Sequence, residues 1–247
     1  NKGASAQKDY HGSAAMDTVY IAGTEVDGYV LALQETDKML YVMPVDDLEN
    51  RTLIGKVSTS YFTINDLCYN AQDGYLYGIV YIDNTVVRID KLTGQAEVVG
   101  TFGARGDMRT IACDDQGNFY AMTYDYGNAA KLYKFTLDTI DAPTLLGSTG
   151  YITDWYQSMT WNRTDGMLYW SHYKLGSGDA KDYGYLICMD PNTVTDGVVK
   201  TTMVGSHDEP ISCLICPGSY TEGTNWYAKT TNILSMTINN ESLELVR

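Results

Sequence analysis

One short phrase recurs along this chain, and it constrains the fold more than any other feature. Tyr69-Asn70-Ala71-Gln72-Asp73-Gly74-Tyr75-Leu76-Tyr77-Gly78 resembles Trp161-Asn162-Arg163-Thr164-Asp165-Gly166-Met167-Leu168-Tyr169-Trp170, and Cys113-Asp114-Asp115-Gln116-Gly117-Asn118-Phe119-Tyr120-Ala121 matches both. A weaker copy is Val26-Asp27-Gly28-Tyr29-Val30-Leu31-Ala32, and the most degenerate runs from Glu222 to Ala228. The anchors Gly28, Gly74, Gly117, Gly166 and Gly223 are spaced by 46, 43, 49 and 57 residues. Self-similarity at such a period marks an array of supersecondary units, each too small to bury its own apolar faces alone.

Each anchor lies between two strand-like runs. A short apolar run precedes it, such as Leu67-Cys68-Tyr69, and an aromatic-rich run follows, such as Tyr75 to Tyr81. Asp-Gly between such runs reads as a tight hairpin turn, because glycine accepts positive φ without a steric cost. Third and fourth strands follow in each unit. Val86 to Asp90, then Thr93-Gly94, then Ala96 to Gly100 is the clearest case; Tyr185 to Asp190 with a turn at Pro191-Asn192-Thr193 is another. Four antiparallel strands in ~45 residues is the size of a propeller blade. The sequence therefore predicts an all-β chain, a five-bladed β-propeller of four-stranded antiparallel blades forming a single domain over residues 1–247. The blades are placed near 14–58, 61–103, 106–150, 154–206 and 209–247, with 1–13 as an extension that pairs with the last blade to close the ring. An open fragment of a six- or seven-bladed ring is the alternative.

Composition excludes several functions. The net charge of −14 repels phosphate backbones and anionic lipid, so no nucleic-acid partner is expected. No apolar run is long enough to cross a membrane or serve as a secretory signal, so no membrane insertion is expected. The five cysteines include Cys213 and Cys216 at CxxC spacing, without the second pair that a zinc site needs. Three histidines show no paired spacing, and Asp114 to Asn118 lacks the carboxylates of a calcium loop. No metal or other cofactor is expected.

Val87-Arg88-Ile89-Asp90-Lys91-Leu92-Thr93-Gly94 with Val99-Gly100, and then Tyr185 to Thr193, resemble the Leu-Tyr-x-x-Asp-x-x-Thr-Gly-x-x-x-x-Val-Gly repeats of bacterial extracellular β-propeller proteins. The resemblance implies a secreted or cell-surface adhesion-type module, in proteins that often carry neighbouring Ig-like domains. It concerns architecture; a shared fold does not establish an activity.

Propeller geometry directs the search for a site. Loops between blades, and between second and third strands, share the face opposite the Asp-Gly turns. They carry Tyr61, Phe62, Tyr81, Phe102, Tyr124, Tyr126, Tyr151, Trp155, Tyr156, Tyr173 and Tyr183. Rings with polar tips suit a glycan or a protein or peptide ligand, although such rings also fill gaps between blades. Aligning the first strands puts Asn65, Arg109 and Gln157 at one position, and Asp66, Thr110, Ser158 and Ser212 at the next. The expected ligand-binding residues are Asp66, Arg109, Tyr126, Trp155, Tyr156, Gln157, Ser158 and Tyr173, with no catalytic residue. The function expected is non-catalytic binding or adhesion. The alternative is a glycoside hydrolase with carboxylates at the channel mouth, for which Asp66, Asp154, Asp208 and Glu209 are available. Arg105-Gly106-Asp107 is an adhesion-type tripeptide in a loop of the same face.

Overall fold

A computed structural model of the chain describes residues 20–34, 38–57, 64–80, 83–103, 106–216 and 234–237. The expected strand at Glu222 to Ala228, Tyr61, Phe62, Tyr81, Arg105 and the 1–13 extension lie outside them.

The described residues are all-β apart from one 3₁₀ turn at Leu137–Thr139. The strands come in antiparallel groups of four. The first is β1 (Tyr20–Val26), β2 (Tyr29–Gln34), β3 (Met39–Pro44) and β4 (Thr52–Lys56). The second is β5 (Ile64–Asn70), β6 (Tyr75–Val80), β7 (Thr85–Ile89) and β8 (Ala96–Thr101). The third is β9 (Asp107–Cys113), β10 (Phe119–Tyr124), β11 (Ala129–Phe135) and β12 (Thr144–Ile152). The fourth is β13 (Ser158–Asn162), β14 (Met167–Lys174), β15 (Tyr183–Thr195) and β16 (Val198–His207). A further pair, β17 (Ile211–Ile215) with β18 (Leu234–Thr237), follows. The first strands adjoin one another in order: β1 beside β5, β5 beside β9, β9 beside β13, β13 beside β17, and β17 back beside β1.

The repeated phrase has a clear local cause. Gly28, Gly74, Gly117 and Gly166 have φ of 86°, 78°, 80° and 70°, the left-handed region that costs glycine nothing. In the second and fourth units a side-chain oxygen of Asn70 or Asn162 accepts the N–H two residues on, at 2.9 Å in both. The turn aspartate then accepts the hydroxyl of the unit's tyrosine: Tyr77 to Asp73 at 2.5 Å, Tyr169 to Asp165 at 2.7 Å. In the third unit Asp114 does both jobs, accepting Gln116 N, Asn118 N, the Asn118 amide and the Tyr120 hydroxyl. That carboxylate is taken up by its own turn.

The core is layered between units rather than gathered into one mass. Side chains alternate sides along a strand. On β6, Leu76 and Val80 join the layer shared with the first unit, while Tyr77 and Ile79 join the layer shared with the third. On β10, Phe119 and Ala121 face the second unit, and Tyr120 and Met122 face the fourth. Val30, Ala32 and Met43 of the first unit pack with Cys213 and Ile215 of β17. The inner strands of the second and third units are therefore covered on both faces, and β6 and β10 read as nearly unbroken apolar runs, while the fourth strands β4 and β8 stay largely exposed.

The glycine that follows an apolar residue in the fourth strand, Gly55, Gly100 or Gly147, marks a joint in the first three units. A Cβ on Gly55 would lie 2.5 Å from the Thr93 carbonyl oxygen, and one on Gly147 would lie 2.6 Å from that of Gly197. The turn between third and fourth strands of one unit thus seats on the fourth strand of the unit before it. At Gly147 the approach ends in a backbone bond, Ser148 N to Gly197 O at 2.8 Å, and a parallel bridge between β12 and β16. The fourth unit departs from the expected turn. Pro191 to Thr193 stay within β15 as a bulge, with Asp190 accepting Asn192 N and the Thr193 hydroxyl, and the chain reverses later at Asp196-Gly197.

Candidate functional site

Three places in this frame collect chemistry. The first is the line where the opening strands converge. Asp66 is fully buried there. Its Oδ2 accepts Ile111 N and Met159 N, each at 3.1 Å, and its Oδ1 accepts the Ser158 hydroxyl at 2.9 Å and its own neighbour Leu67 N at 3.1 Å. Ser158 in turn accepts Leu214 N at 2.9 Å. One carboxylate and one hydroxyl therefore tie together β5, β9, β13 and β17. Burial pushes the Asp66 pKa well above the ordinary aspartate range, against the pull of these four donors. The sequence alignment of Asp66 with Ser158 holds, but both side chains have their partners inside the protein and neither has surface for a ligand.

The second place is a cleft at the Asp-Gly-turn end of the same line, of about 360 Å³ counted to its open mouth. Glu25, Cys68, Cys113, Trp161, Arg163 and Cys216 line it. All five cysteines are free thiols. Burial pushes up the pKa of Cys68 and Cys113, and that of Cys216 to about 12, so the thiols around the cleft stay protonated. Among the described residues, no group of three or more His, Cys, Asp or Glu is arranged to hold a metal ion.

The third place is on the opposite face, across the third and fourth units. Six rings follow one another in contact. Tyr126 lies 4.7 Å from Tyr124, Tyr124 is 6.2 Å from Trp155, and Trp155 is 6.1 Å from Tyr156. Tyr156 is 6.1 Å from Tyr173, which stacks on His207 at 6.3 Å. Tyr126 and Trp155 are 68% and 44% exposed, large values for rings that a core would absorb. Tyr124 and Tyr156 are half-buried, and Tyr173 is buried.

The supports of this belt come from several loops. The Tyr126 hydroxyl donates to Asp107 Oδ2 at 2.8 Å, and that bond raises its pKa. Arg109 pairs with the same carboxylate at 3.2 Å and lies over the Tyr124 ring, 5.6 Å from its centroid. Buried Gln157 fixes the segment carrying Trp155 and Tyr156, donating to Asp154 O at 2.7 Å and accepting the Trp170 indole at 2.9 Å. Asp154 accepts Lys174 Nζ at 2.7 Å and Leu175 N at 2.8 Å. The Tyr173 hydroxyl donates to Asp182 at 2.9 Å; Gly176 N donates to the other Asp182 oxygen, and the two bonds hold that carboxyl below its ordinary value.

Of the residues expected at a site, Arg109, Tyr126, Trp155, Tyr156 and Tyr173 come together, Gln157 lies beneath them, and Asp66 and Ser158 are elsewhere. Phe102 and Tyr151, also on the expected face, are taken up by packing: Phe102 against Tyr133 and Phe135, Tyr151 against Trp170 and Tyr185. Among the hydrolase carboxylates, Asp66 is sealed in and Asp154 is held by Lys174. Sequence reasoning placed Tyr124 on this face without ranking it, noticed Asp107 only within Arg105-Gly106-Asp107, and did not single out Asp182 or His207 as supports. Their ring partners, Tyr126 and Tyr173, stand at spacings that no repeated phrase announces.

A family model described as a repeat of unknown function (DUF6923) matches residues 29–241. No curated protein sequence matches the chain. A chain in the crystal structure of a nidogen/laminin complex is similar at a TM-score of 0.56 with 14% identity, covering 92% of this chain and 80% of that one. A structural genomics protein of unknown function from Bacteroides thetaiotaomicron gives a TM-score of 0.49 and 18% identity, covering 76% of this chain and 44% of that one. The first likeness shows a propeller-like fold.

Proposed function

This chain belongs to the family described as a repeat of unknown function (DUF6923), and we propose that it is a five-bladed propeller serving as a non-catalytic binding module. The closed order of first strands, from β1 through β5, β9, β13 and β17 back to β1, supports the blade number. The ligand, a glycan or a peptide, lies on the belt from Tyr126 to Tyr173. The single observation that carries this reading is the exposure of Trp155 and Tyr126 in a row of rings whose supports are all internally bonded. Exposed rings on a rigid base lose little entropy when a ligand covers them, which is the economy of most aromatic recognition sites. An extracellular or cell-surface location, next to Ig-like domains, follows from the resemblance of the repeats. That the similar nidogen/laminin chain comes from a protein complex agrees with a protein or peptide partner.

The test is a glycan and peptide array probed with wild type and Trp155→Ala. Ligands retained by the wild type should bind about tenfold more weakly, or not at all, to the variant. Equal binding would remove the belt as the site.

A further inference from the structure

The belt holds two kinds of ring. At Tyr126 and Tyr173 the polar tip is already used, the Tyr126 hydroxyl donating to Asp107 and the Tyr173 hydroxyl to Asp182. The three rings between them differ. The hydroxyls of Tyr124 and Tyr156 and the indole N–H of Trp155 have no hydrogen-bond partner among the described residues. The acceptors around them, by contrast, already hold donors. Asp107 holds Tyr126 and Arg109, and Asp154 holds Lys174 and Leu175 N. Asp182 holds Tyr173 and Gly176 N, and the Gln157 side-chain oxygen holds the Trp170 indole. The middle of the belt therefore offers a ligand one N–H and two hydroxyls to accept from.

The rings also stand crossed. Tyr126 and Tyr124 are inclined at 54°, Tyr124 and Trp155 at 76°, Trp155 and Tyr156 at 61°, and Tyr156 and Tyr173 at 82°. No two neighbours from Tyr126 to Tyr173 share a plane, so this stretch forms slots between ring faces and ring edges rather than a flat platform. A linear glycan lies best along coplanar ring faces, and each of its hydroxyls seeks an acceptor as well as a donor. Proline answers both features. It has a carbonyl and no N–H, so a run of prolines presents acceptors alone. In the polyproline II helix those carbonyls have no internal partner, and the compact pyrrolidine rings stand out from the backbone to dock among aromatic side chains.

Resting on the reading of the belt as the binding site, we propose that its ligand is a proline-rich peptide in the polyproline II conformation. Pyrrolidine rings enter the slots on either side of Trp155, and main-chain carbonyls accept the Trp155 indole N–H and the Tyr124 and Tyr156 hydroxyls. Such a peptide is extended before it docks, so it loses little chain entropy on binding. It needs no charge, so the net charge of −14 neither draws nor repels it.

Fluorescence anisotropy on the whole chain with three labelled probes tests this: decaproline, (Gly-Ser)₅ and chitotetraose. Decaproline should bind. (Gly-Ser)₅, which matches its length but is flexible and carries N–H groups, should bind at least about tenfold more weakly. Trp155→Phe keeps an aromatic ring and removes the N–H, and Tyr156→Phe removes only a hydroxyl. Each should weaken decaproline by about three- to tenfold, and Trp155→Ala should weaken it further. The two phenylalanine variants give the reading should Trp155→Ala not fold. Decaproline that does not bind, that binds no better than (Gly-Ser)₅, or that binds both phenylalanine variants as tightly as wild type overturns the proposal. Chitotetraose bound by wild type and lost in Trp155→Ala, with no binding of decaproline, overturns the proline class while leaving the belt as the site. No effect of any of the three variants on any probe removes both.

Discussion

Asp66 is the residue on which the geometry concentrates. Three backbone N–H groups and a hydroxyl all donate to it, so only an acceptor fits. Asp66→Asn must turn an NH₂ toward one pair of donors, and Asp66→Ala orphans all four. We expect losses of about 2–3 kcal/mol for Asn and 3–5 kcal/mol for Ala in urea melts. A loss under about 1 kcal/mol for the alanine variant would refute the hub role. Ser158→Ala, which removes one donor and the acceptor of Leu214 N, should fall between wild type and Asp66→Ala. The sequence shows Asp66 as a polar residue opening an apolar strand, and alignment of the repeats even puts it level with Ser158. It does not show that the donors 45 and 93 residues away converge on it, because that depends on strands meeting around a common line. A polar residue at a channel mouth and one sealed inside it look alike in one dimension.

At the scale of elements, hairpins were legible and joints were not. Asp-Gly turns, Asx bonds and the tyrosine that reaches back to its turn involve residues two to four apart, so they repeat visibly in sequence. An apolar residue followed by glycine also repeats visibly, but at Gly55, Gly100 and Gly147 its cause lies in the next unit. Gly147→Ala would drive a methyl into the Gly197 carbonyl, and Gly100→Ala would meet only the Ile140 side chain, at 2.9 Å from its Cδ1. Backbone held in a parallel bridge yields less than an isoleucine rotamer. We therefore expect Gly147→Ala to cost about 2–3 kcal/mol and Gly100→Ala about 1 kcal/mol, compared by thermal denaturation. The reverse order would mean that the β12–β16 bridge is the softer contact. The same bridge region misled the sequence reading of the fourth unit. Pro191-Asn192-Thr193 has turn composition, yet Asp190 folds those residues into a bulge and lets β15 run on to the true turn at Gly197.

For the whole molecule, acid sensitivity follows from two imidazoles, His172 buried and His207 half-buried. His172 Nε2 donates to Ile152 O, 2.8 Å away, among Trp170, Tyr151 and Tyr185, and His207 Nδ1 donates to Glu209 O at 2.6 Å. Burial is the main cause that lowers both pKa values below 6.5. A native value below the unfolded one means that the unfolded chain takes up the proton first. Their stabilisation is then complete above about pH 6.5 and is lost as pH falls through the native values. Asp66 acts in the opposite sense: with its native value raised, its contribution is full below the ordinary aspartate value and declines as pH rises through the native one. The melting temperature should drop from pH 7 to pH 5, and the double variant His172→Gln, His207→Gln should flatten that slope. An unchanged slope would assign acid sensitivity to other groups.

The line on which Asp66 sits has a consequence for how such a chain descends from copies of one unit. A position on a shared axis is claimed by every copy at once, whereas a position in a joint or a hairpin belongs to each copy separately. A carboxylate from every copy cannot occupy one dry point. Duplication can therefore preserve the turns and the glycine seats faithfully, but at this position the other copies must carry residues such as Thr110 and Ser158 for one to keep its acid. Perfect internal symmetry is forbidden at the centre of the molecule: where the units meet, one keeps the acid and its counterparts Thr110 and Ser158 carry hydroxyls.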